Sequence, residues 1–197
     1  MSSLYLVRHG ITAANRENRF AGRSDEELHP EGIVQMQQTG TQLRQKNIGA
    51  IYCGPAKRTW QSAEILGEMF SLPVSCRADF DEIHIPHWDG LTKDEIRQRF
   101  GAQYPTWLAA PQKFEVSGCE TLSQVQQRAV AGVKQIIAER QDQNLLLVSH
   151  LIVLRCLVLY FRGIEISEFR TIQIKNGTIL QLEQQDKNGF DISSMLS

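Results

Sequence analysis

Two stretches of this 197-residue chain end alike: Leu4-Tyr5-Leu6-Val7 runs into Arg8-His9-Gly10, and Leu145-Leu146-Leu147-Val148 runs into Ser149-His150. Each is a short apolar run of the kind that forms a buried strand, closed by an imidazole. In an open parallel sheet, ligands sit in the crevice beyond the carboxyl ends of the strands, so both histidines fall where chemistry is done. Either histidine alone reads as a satisfied structural residue; two at equivalent strand ends favour a shared site. Arg8 adds a permanent cation beside His9, and Gly10 permits a sharp turn or a close backbone approach. Arg58 follows a further apolar run, residues 50–53, across Gly54-Pro55-Ala56, at the start of a helical pattern. Arginine suits bidentate recognition of phosphate, and a helix start adds backbone N–H donors. Taken alone Arg58 would be a solvated helix residue; beside Arg8 and His9 it points to an anion pocket.

Positioning these groups requires a sheet with helices packed on it. Residues 4–7, 50–53 and 145–149 read as buried strands and 74–76 as a weaker one. Residues 32–46 carry Ile33, Val34, Met36 and Leu43, and residues 59–70 carry Ala63, Leu66 and Phe70 at helical spacing. The clearest helix follows Thr121 as N-cap: Leu122, Val125, Ala129, Val133 and Ile136 form one apolar stripe, with Gln126, Gln127, Arg128 and Lys134 on other faces. Residues 169–174 and 178–182, joined by Asn176-Gly177, predict a terminal β-hairpin. Between about residues 79 and 118 the alternation fails. Trp88, Tyr104 and Trp107 occur there with Pro86, Pro105 and Pro111 and a short helical piece at 92–100, which reads as a cap inserted over the site. The expected fold class is α/β: three layers, α/β/α, a mostly parallel central sheet and a small helical cap insertion, in a single domain spanning residues 1–197.

Composition narrows the function classes. Lys plus Arg number 21 against 22 Asp plus Glu, a net charge of −1, and 42% of residues are hydrophobic. That excludes disorder and places a nucleic-acid binder or a membrane-surface protein behind a small-molecule enzyme. The cations are nevertheless concentrated. Residues 1–23 hold Arg8, Arg16, Arg19 and Arg23 against Glu17 alone, and residues 44–58 hold Arg44, Lys46, Lys57 and Arg58 with no acid. Cys53, Cys76, Cys119 and Cys156 are far apart without a Cys-x-x-Cys pair and read as reduced. The first residues lack a basic region and a signal-length apolar stretch, so a cytoplasmic location is expected. The apolar run 145–161 approaches spanning length but contains Ser149, His150 and Arg155; a strand followed by a buried helix accounts for it better.

At these residues the chain resembles the histidine phosphatase superfamily, in its phosphoglycerate-mutase-like branch. The resemblance begins at Arg8-His9-Gly10-Ile11-Thr12 with Asn15 and continues through Gly22, Asp25, Leu28, Gly32 and Gln35. It goes on through Pro55, Arg58, Gln61 and Ala63, an acid-bearing loop of Asp81-Glu82-Ile83 with Trp88-Asp89-Gly90-Leu91, then Gly118-Cys119-Glu120-Thr121 and Val148-Ser149-His150. It implies that His9 is a nucleophile forming a phosphohistidine that water then hydrolyses. Arg8, Arg58 and His150 would hold the transferring oxygens, with Asn15 as an extra donor and His150 counted in the catalytic set. Glu82 would protonate the leaving alcohol and then deprotonate the attacking water, with Phe80, Ile83 and Trp88 raising its pKa by desolvation; Asp81 is its nearest competitor. Pro86, Leu151 and Cys119 stand where the pattern has glycine, and Asp89 where it has glutamate. None of these removes a chemical group. Pro86 and Leu151 fall where they would reshape the substrate pocket, and Cys119 reads as a small loop residue rather than a redox-sensitive thiol.

The expected function is therefore a metal-independent phosphomonoesterase, with no cofactor, acting on a small-molecule phosphate ester. No nucleic acid and no membrane are expected as partners, and a homodimer is left open. One alternative is a phosphoglycerate mutase, disfavoured because Glu82 is followed by Ile83-His84-Ile85-Pro86 rather than the Arg-His-Tyr-Gly of family mutases, and because the cap is short. The other is a non-catalytic phosphate-binding regulatory module. A metal site from His84-x-x-His87 with Asp89 is weaker still, being a short histidine pair without a matched second pair. Trp88, Tyr104, Trp107 and Phe114 offer apolar contacts, and Lys93, Arg97 and Lys113 are available to an acidic group, although cap packing and solvation account for each.

Overall fold

The computed structural model describes residues 2–185 and 189–196, with side chains as far as residue 183. Six strands, β1 (Ser3–Arg8), β2 (Ile48–Cys53), β3 (Val74–Cys76), β4 (Asn144–Ser149), β5 (Ile179–Gln185) and β6 (Gly189–Leu196), form one sheet in the order β3-β2-β4-β1-β5-β6. The first four run parallel; β5 and β6 add to the β1 side antiparallel. The helices are α1 (Ala13–Arg16), α2 (Pro30–Leu43), α3 (Lys57–Phe70), α4 (Lys93–Arg99), α5 (Gln103–Ala109), α6 (Leu122–Glu139) and α7 (Leu151–Phe161).

The period of two along each strand divides the core into two layers. Tyr5, Val7, Ile51, Cys53, Leu146 and Val148 pack with Met36 and Leu43 of α2 and Ala63 and Leu66 of α3. The alternate residues Leu4, Leu6, Tyr52, Leu145 and Leu147 pack with α6, α7 and the aromatic residues of segment 79–118. The α/β/α layering expected from the sequence is thus present, and the run 145–161 resolves into β4 and α7. No helix among the described residues is long and apolar enough to cross a membrane.

Local signals explain the element boundaries. The helix expected at 32–46 starts earlier, with Pro30 at its first position and the His29 ring accepting from the Glu31 N–H; residues 44–46 form a separate 3-10 turn. Thr121 caps α6 reciprocally: its hydroxyl accepts from the Gln124 N–H and the Gln124 side chain returns to the Thr121 N–H. The terminal hairpin, in contrast, is misplaced by the sequence reading. Residues 169–174 form no strand, and β5 pairs instead with β1 and with β6. Phe169 and Ile174 owe their apolar character to burial in the α7-side core, while the carbonyls of Ile172 and Ile174 accept from Arg155 and Arg8.

Because β4 lies between β1 and β2, the carboxyl ends of β1 and β4 are neighbours, with Arg8 opposite Ser149 and the His9 N–H donating to the Ser149 carbonyl at 3.0 Å. From there the chain leaves β1 towards α2 on one face and β4 towards α7 on the other, opening the crevice of a topological switch point. The β1 exit is tight. A Cβ on Gly10 would lie 2.6 Å from the Gly32 carbonyl oxygen, and a Cβ on Gly32 would lie 2.3 Å from that of Ile11. Backbone meets backbone there, so no side-chain rotation can relieve an added methyl. Gly32→Ala should destabilise the fold by about 1–3 kcal/mol, as overpacking does. A urea-unfolding midpoint equal to wild type would contradict this packing.

Candidate active site

The side chains beyond β1 and β4 converge on one cleft of about 380 Å3. His9 lines it, and His150 lies behind His9, the two ring centroids 5.3 Å apart. Both are buried, His9 at 3% exposure and His150 at 0%. Arg8, Asn15, Arg58 and Glu82 line the same cleft. The six residues singled out from sequence therefore come together, five in the cleft wall and His150 directly against Arg58.

Fixed-role neighbours assign both histidine tautomers. His9 Nδ1 lies 2.8 Å from the Gly10 carbonyl oxygen, which can only accept, so Nδ1 carries the proton and Nε2 keeps its lone pair. His150 Nδ1 lies 3.0 Å from Arg58 Nη2, which can only donate, so here Nδ1 is the acceptor and Nε2 carries the proton. His150 Nε2 is buried without a protein partner, as are Nε of Arg8 and Nε of Arg58. Buried N–H donors without acceptors are costly, and those of Arg8 and Arg58 belong to residues lining the cleft, where an anion would satisfy them. The charge balance agrees: burial first, then Arg58 and Arg8, hold the His9 pKa well below 6.5, and burial and Arg58 do the same for His150. Burial also lowers the Arg8 pKa to about 10, which leaves it cationic at neutral pH.

Each cation is held by carbonyls. Arg58, 1% exposed at the start of α3, donates through Nη2 to Gly22 O at 2.6 Å and through Nη1 to Ser24 O at 3.3 Å; Arg8 Nη1 donates to Ile174 O at 2.8 Å. Asn15 Oδ1 accepts from the Thr12 N–H and from Asn176 Nδ2, which leaves its NH2 without a partner among the described residues.

Glu82, 8% exposed, has Oε2 4.0 Å from His150 Nδ1, while Oε1 accepts from the Ile83 N–H. Burial raises its pKa, against the opposing pull of Arg58 and the Ile83 N–H. Phe80, Ile83 and Trp88, expected to desolvate it, are all fully buried. Asp81 is spent elsewhere: Oδ1 caps the Glu82 N–H at 2.8 Å and Oδ2 pairs with Arg23 at 3.1 Å.

Sequence reasoning missed the groups that hold this loop. Arg128 donates to the carbonyls of Asp79, Asp81 and Glu82 and pairs with Glu120 at 2.8 Å. Arg23 donates to the Glu82 carbonyl and to Glu120. Glu120 also accepts from the His84 N–H. Arg128 was legible only as a polar residue on a helix, because its three carbonyl partners are 46–49 residues away. Asn176 was read as half of a turn dipeptide, yet its Nδ2 bridges His9 O and Asn15. The candidate metal residues form no ligand cluster among the described residues, and His87 is engaged elsewhere: its Nε2 contacts Gln103 Oε1 at 2.7 Å and its Nδ1 faces the Cys119 sulfur at 3.7 Å. Burial raises the Cys119 pKa, which keeps it a poor thiolate.

Comparison with known proteins places the chain in a family. A family model of the histidine phosphatase superfamily (branch 1) matches residues 4–195, and the chain belongs to that superfamily. It is 25% identical over 187 residues to phosphoserine phosphatase 1 of Hydrogenobacter thermophilus, covering 95% of this chain and 89% of that one. It is 27% identical over 186 residues to a protein of Salmonella choleraesuis named probable phosphoglycerate mutase GpmB, covering 94% and 86%. Among solved structures, Bacillus stearothermophilus YhfR superposes with a TM-score of 0.94 at 28% identity, covering 98% of this chain and 96% of that one.

The tautomers are directly measurable. In a nitrogen-15 NMR titration, His9 should show a protonated Nδ1 and His150 a protonated Nε2, with both rings neutral at pH 6.5. A cationic His9 at that pH would contradict the electrostatics described here.

Proposed function

We propose that this protein is a phosphomonoesterase that hydrolyses small-molecule phosphate esters through a phosphohistidine at His9. The observation that carries the reading is the opposed pair of tautomers: a lone pair on His9 Nε2 in a cleft that Arg8 and Arg58 also line, with unpartnered N–H groups on both arginines and on His150, whose ring lies 5.3 Å from that of His9. His9 Nε2 attacks phosphorus as the bond from phosphorus to the ester oxygen breaks, and Glu82 gives its proton to the departing alkoxide. Water then attacks phosphorus, Glu82 takes its proton, the N–P bond breaks, and phosphate leaves. Arg8, Arg58 and His150 hold the transferring oxygens throughout, with the Asn15 NH2 as an additional donor. Segment 79–118, carrying Glu82, Tyr104 and Trp107, acts as the cap. No step requires a metal or a cofactor.

Similarity to the Salmonella protein gives the mutase a place as second reading. Hydrolysis is favoured because Lys93 and Arg170 at the cleft rim are exposed, so water reaches the site. Supplied with 3-phosphoglycerate and 2,3-bisphosphoglycerate, the protein should release inorganic phosphate; isomer exchange without phosphate release would establish the mutase instead. His9→Ala should reduce turnover by on the order of 10^4-fold, with no acid-labile label trapped from a labelled ester. Glu82→Gln should reduce it by about 10^2–10^4-fold while phosphate binding persists.

The pH profile follows from the two shifted groups. Neutral His9 is the reactive form and its pKa is depressed, so turnover should persist below pH 6.5. Protonated Glu82 is the acid and its pKa is raised, so turnover should decline with rising pH only above the ordinary carboxylate range. That alkaline limb should be absent from the residual activity of Glu82→Gln; its survival there would remove Glu82 from the role.

A further inference from the structure

The cleft that holds His9 carries more positive charge than one phosphate requires. Its lining has six cations, Arg8, Arg19, Arg58, Lys93, Arg155 and Arg170, against the single carboxylate of Glu82. Arg19 is neutralised by Glu17 and Glu95. Arg8 and Arg58 belong to the phosphate floor. Lys93, Arg155 and Arg170 are left over, and among the described residues none has a carboxylate within ion-pair distance. Of the nine arginines outside the cleft, Arg16, Arg23, Arg77, Arg97, Arg99 and Arg128 each hold one, whereas Arg44, Arg140 and Arg162 hold none among the described residues; what sets the three leftover cations apart is that they are unpaired within one cleft.

These three cations form a group. Arg155, half-buried in the first half of α7, is oriented by a hydrogen bond from Nε to Ile172 O at 2.6 Å, and its guanidinium carbon lies 5.1 Å from the centre of the Phe169 ring. Both contacts leave its terminal nitrogens unclaimed by any described residue. Arg170 follows Phe169 and reaches both neighbours electrostatically: its charge opposes protonation of Arg155 and of Lys93. Like charges gathered at one wall are unfavourable until an anion joins them. Lys93 lines the same cleft, where Nζ meets Asn18 Oδ1. Tyr104, Trp107, Ile152 and Phe169 supply apolar wall to the same cleft.

From this we infer that the substrate is a doubly anionic phosphate ester, whose alcohol part bears a second oxyanion, carboxylate or phosphate, held at the cleft rim by Lys93, Arg155 and Arg170. The inference rests on the phosphomonoesterase reading for the identity of the first anion. It assigns to the leaving group a feature that the phosphate floor does not specify, and it gives the three leftover cations a single purpose. The guanidinium of Arg155, braced on Phe169, presents a planar fork to a planar carboxylate or to two phosphate oxygens. The rim cations, more exposed, add attraction and tolerance of position.

The test measures binding rather than turnover, using His9→Ala protein, which retains every cation and does not transfer the phosphoryl group. Dissociation constants are compared by calorimetry for two matched sets: glycerol 3-phosphate against 3-phosphoglycerate, and glucose 6-phosphate against 6-phosphogluconate and glucose 1,6-bisphosphate. In at least one set, the ester with the second anion should bind about tenfold or more tightly, the worth of a charge-assisted contact. A carboxylate or a phosphate as the preferred group is read from the glucose set. Adding Arg170→Gln with Lys93→Gln should bring that ratio close to one, as should Arg155→Gln alone, with folding checked by circular dichroism. Equal binding of all members within both sets, or a preference unchanged in both cation variants, overturns the inference. Failure of the wild-type protein to hydrolyse any ester, including 4-nitrophenyl phosphate, would overturn the phosphomonoesterase reading separately, since the binding ratios do not depend on turnover.

Discussion

A buried guanidinium governs the architecture of this site. Arg58 is 1% exposed and has no carboxylate within ion-pair distance among the described residues, a situation that would be prohibitive without local compensation. The compensation comes from the Gly22 and Ser24 carbonyls and from His150 Nδ1. Three separate parts of the chain are thereby fixed to one group: the loop after α1, the start of α3 and the end of β4. The same contact dictates chemistry. By donating to Nδ1 it forces the His150 proton onto Nε2, and its charge adds to burial in keeping His9 neutral. A lysine in its place could supply the charge, but not a planar fork that spans two carbonyls and an imidazole.

The cations of the molecule divide by the partner that neutralises them. Those that brace the Glu82 loop, Arg23 and Arg128, are paired with Asp81 and Glu120, so their charge is cancelled and only their geometry is used. Three of the cleft arginines are held by carbonyl dipoles instead: Arg58 by Gly22 and Ser24, Arg8 by Ile174 and Arg155 by Ile172. A carbonyl orients a guanidinium without consuming its formal charge. The cleft therefore stays strongly positive inside a chain whose net charge is only −1, and Glu82 is the one carboxylate among its lining residues. Its burial favours the protonated form that suits an acid, while Arg58 keeps the ionised form accessible for the second half of the cycle.

Much of this was legible in the sequence because it depends on short range. The apolar runs before Arg8 and Ser149 specify strands, and the position of a residue at a strand's carboxyl end follows from counting. The acid was legible only through resemblance: from residue types alone Asp79, Asp81 and Glu82 are equivalent, and what separates them is that the fold pairs Asp79 with Arg77 and Asp81 with Arg23 and leaves Glu82 in the cleft lining. The supports were illegible for a physical reason. Arg128 serves carbonyls of residues 79–82, and carbonyl groups are present at every residue, so no sequence pattern marks the three that a distant arginine will find.

The misplaced hairpin shows the same limit from the other side. Residues 169–174 have the alternation of a strand, and Asn176-Gly177 has the composition of a tight turn, with Gly177 indeed at φ 73°. Strand pairing, however, requires the backbone carbonyls. Here those of Ile172 and Ile174 are already engaged by two cleft arginines, and the Gly177 N–H goes to the Arg8 carbonyl. A cationic donor makes a stronger bond to a carbonyl than a neutral amide does, so a segment bordering the cleft is drawn into solvating charge rather than extending the sheet. The apolar residues of the segment still find burial, Phe169 beneath Arg155 and Ile174 against the core. Pairing resumes at β5, where no cleft cation competes, and the strand that closes the sheet beside β1 begins only after the site has taken the carbonyls it needs.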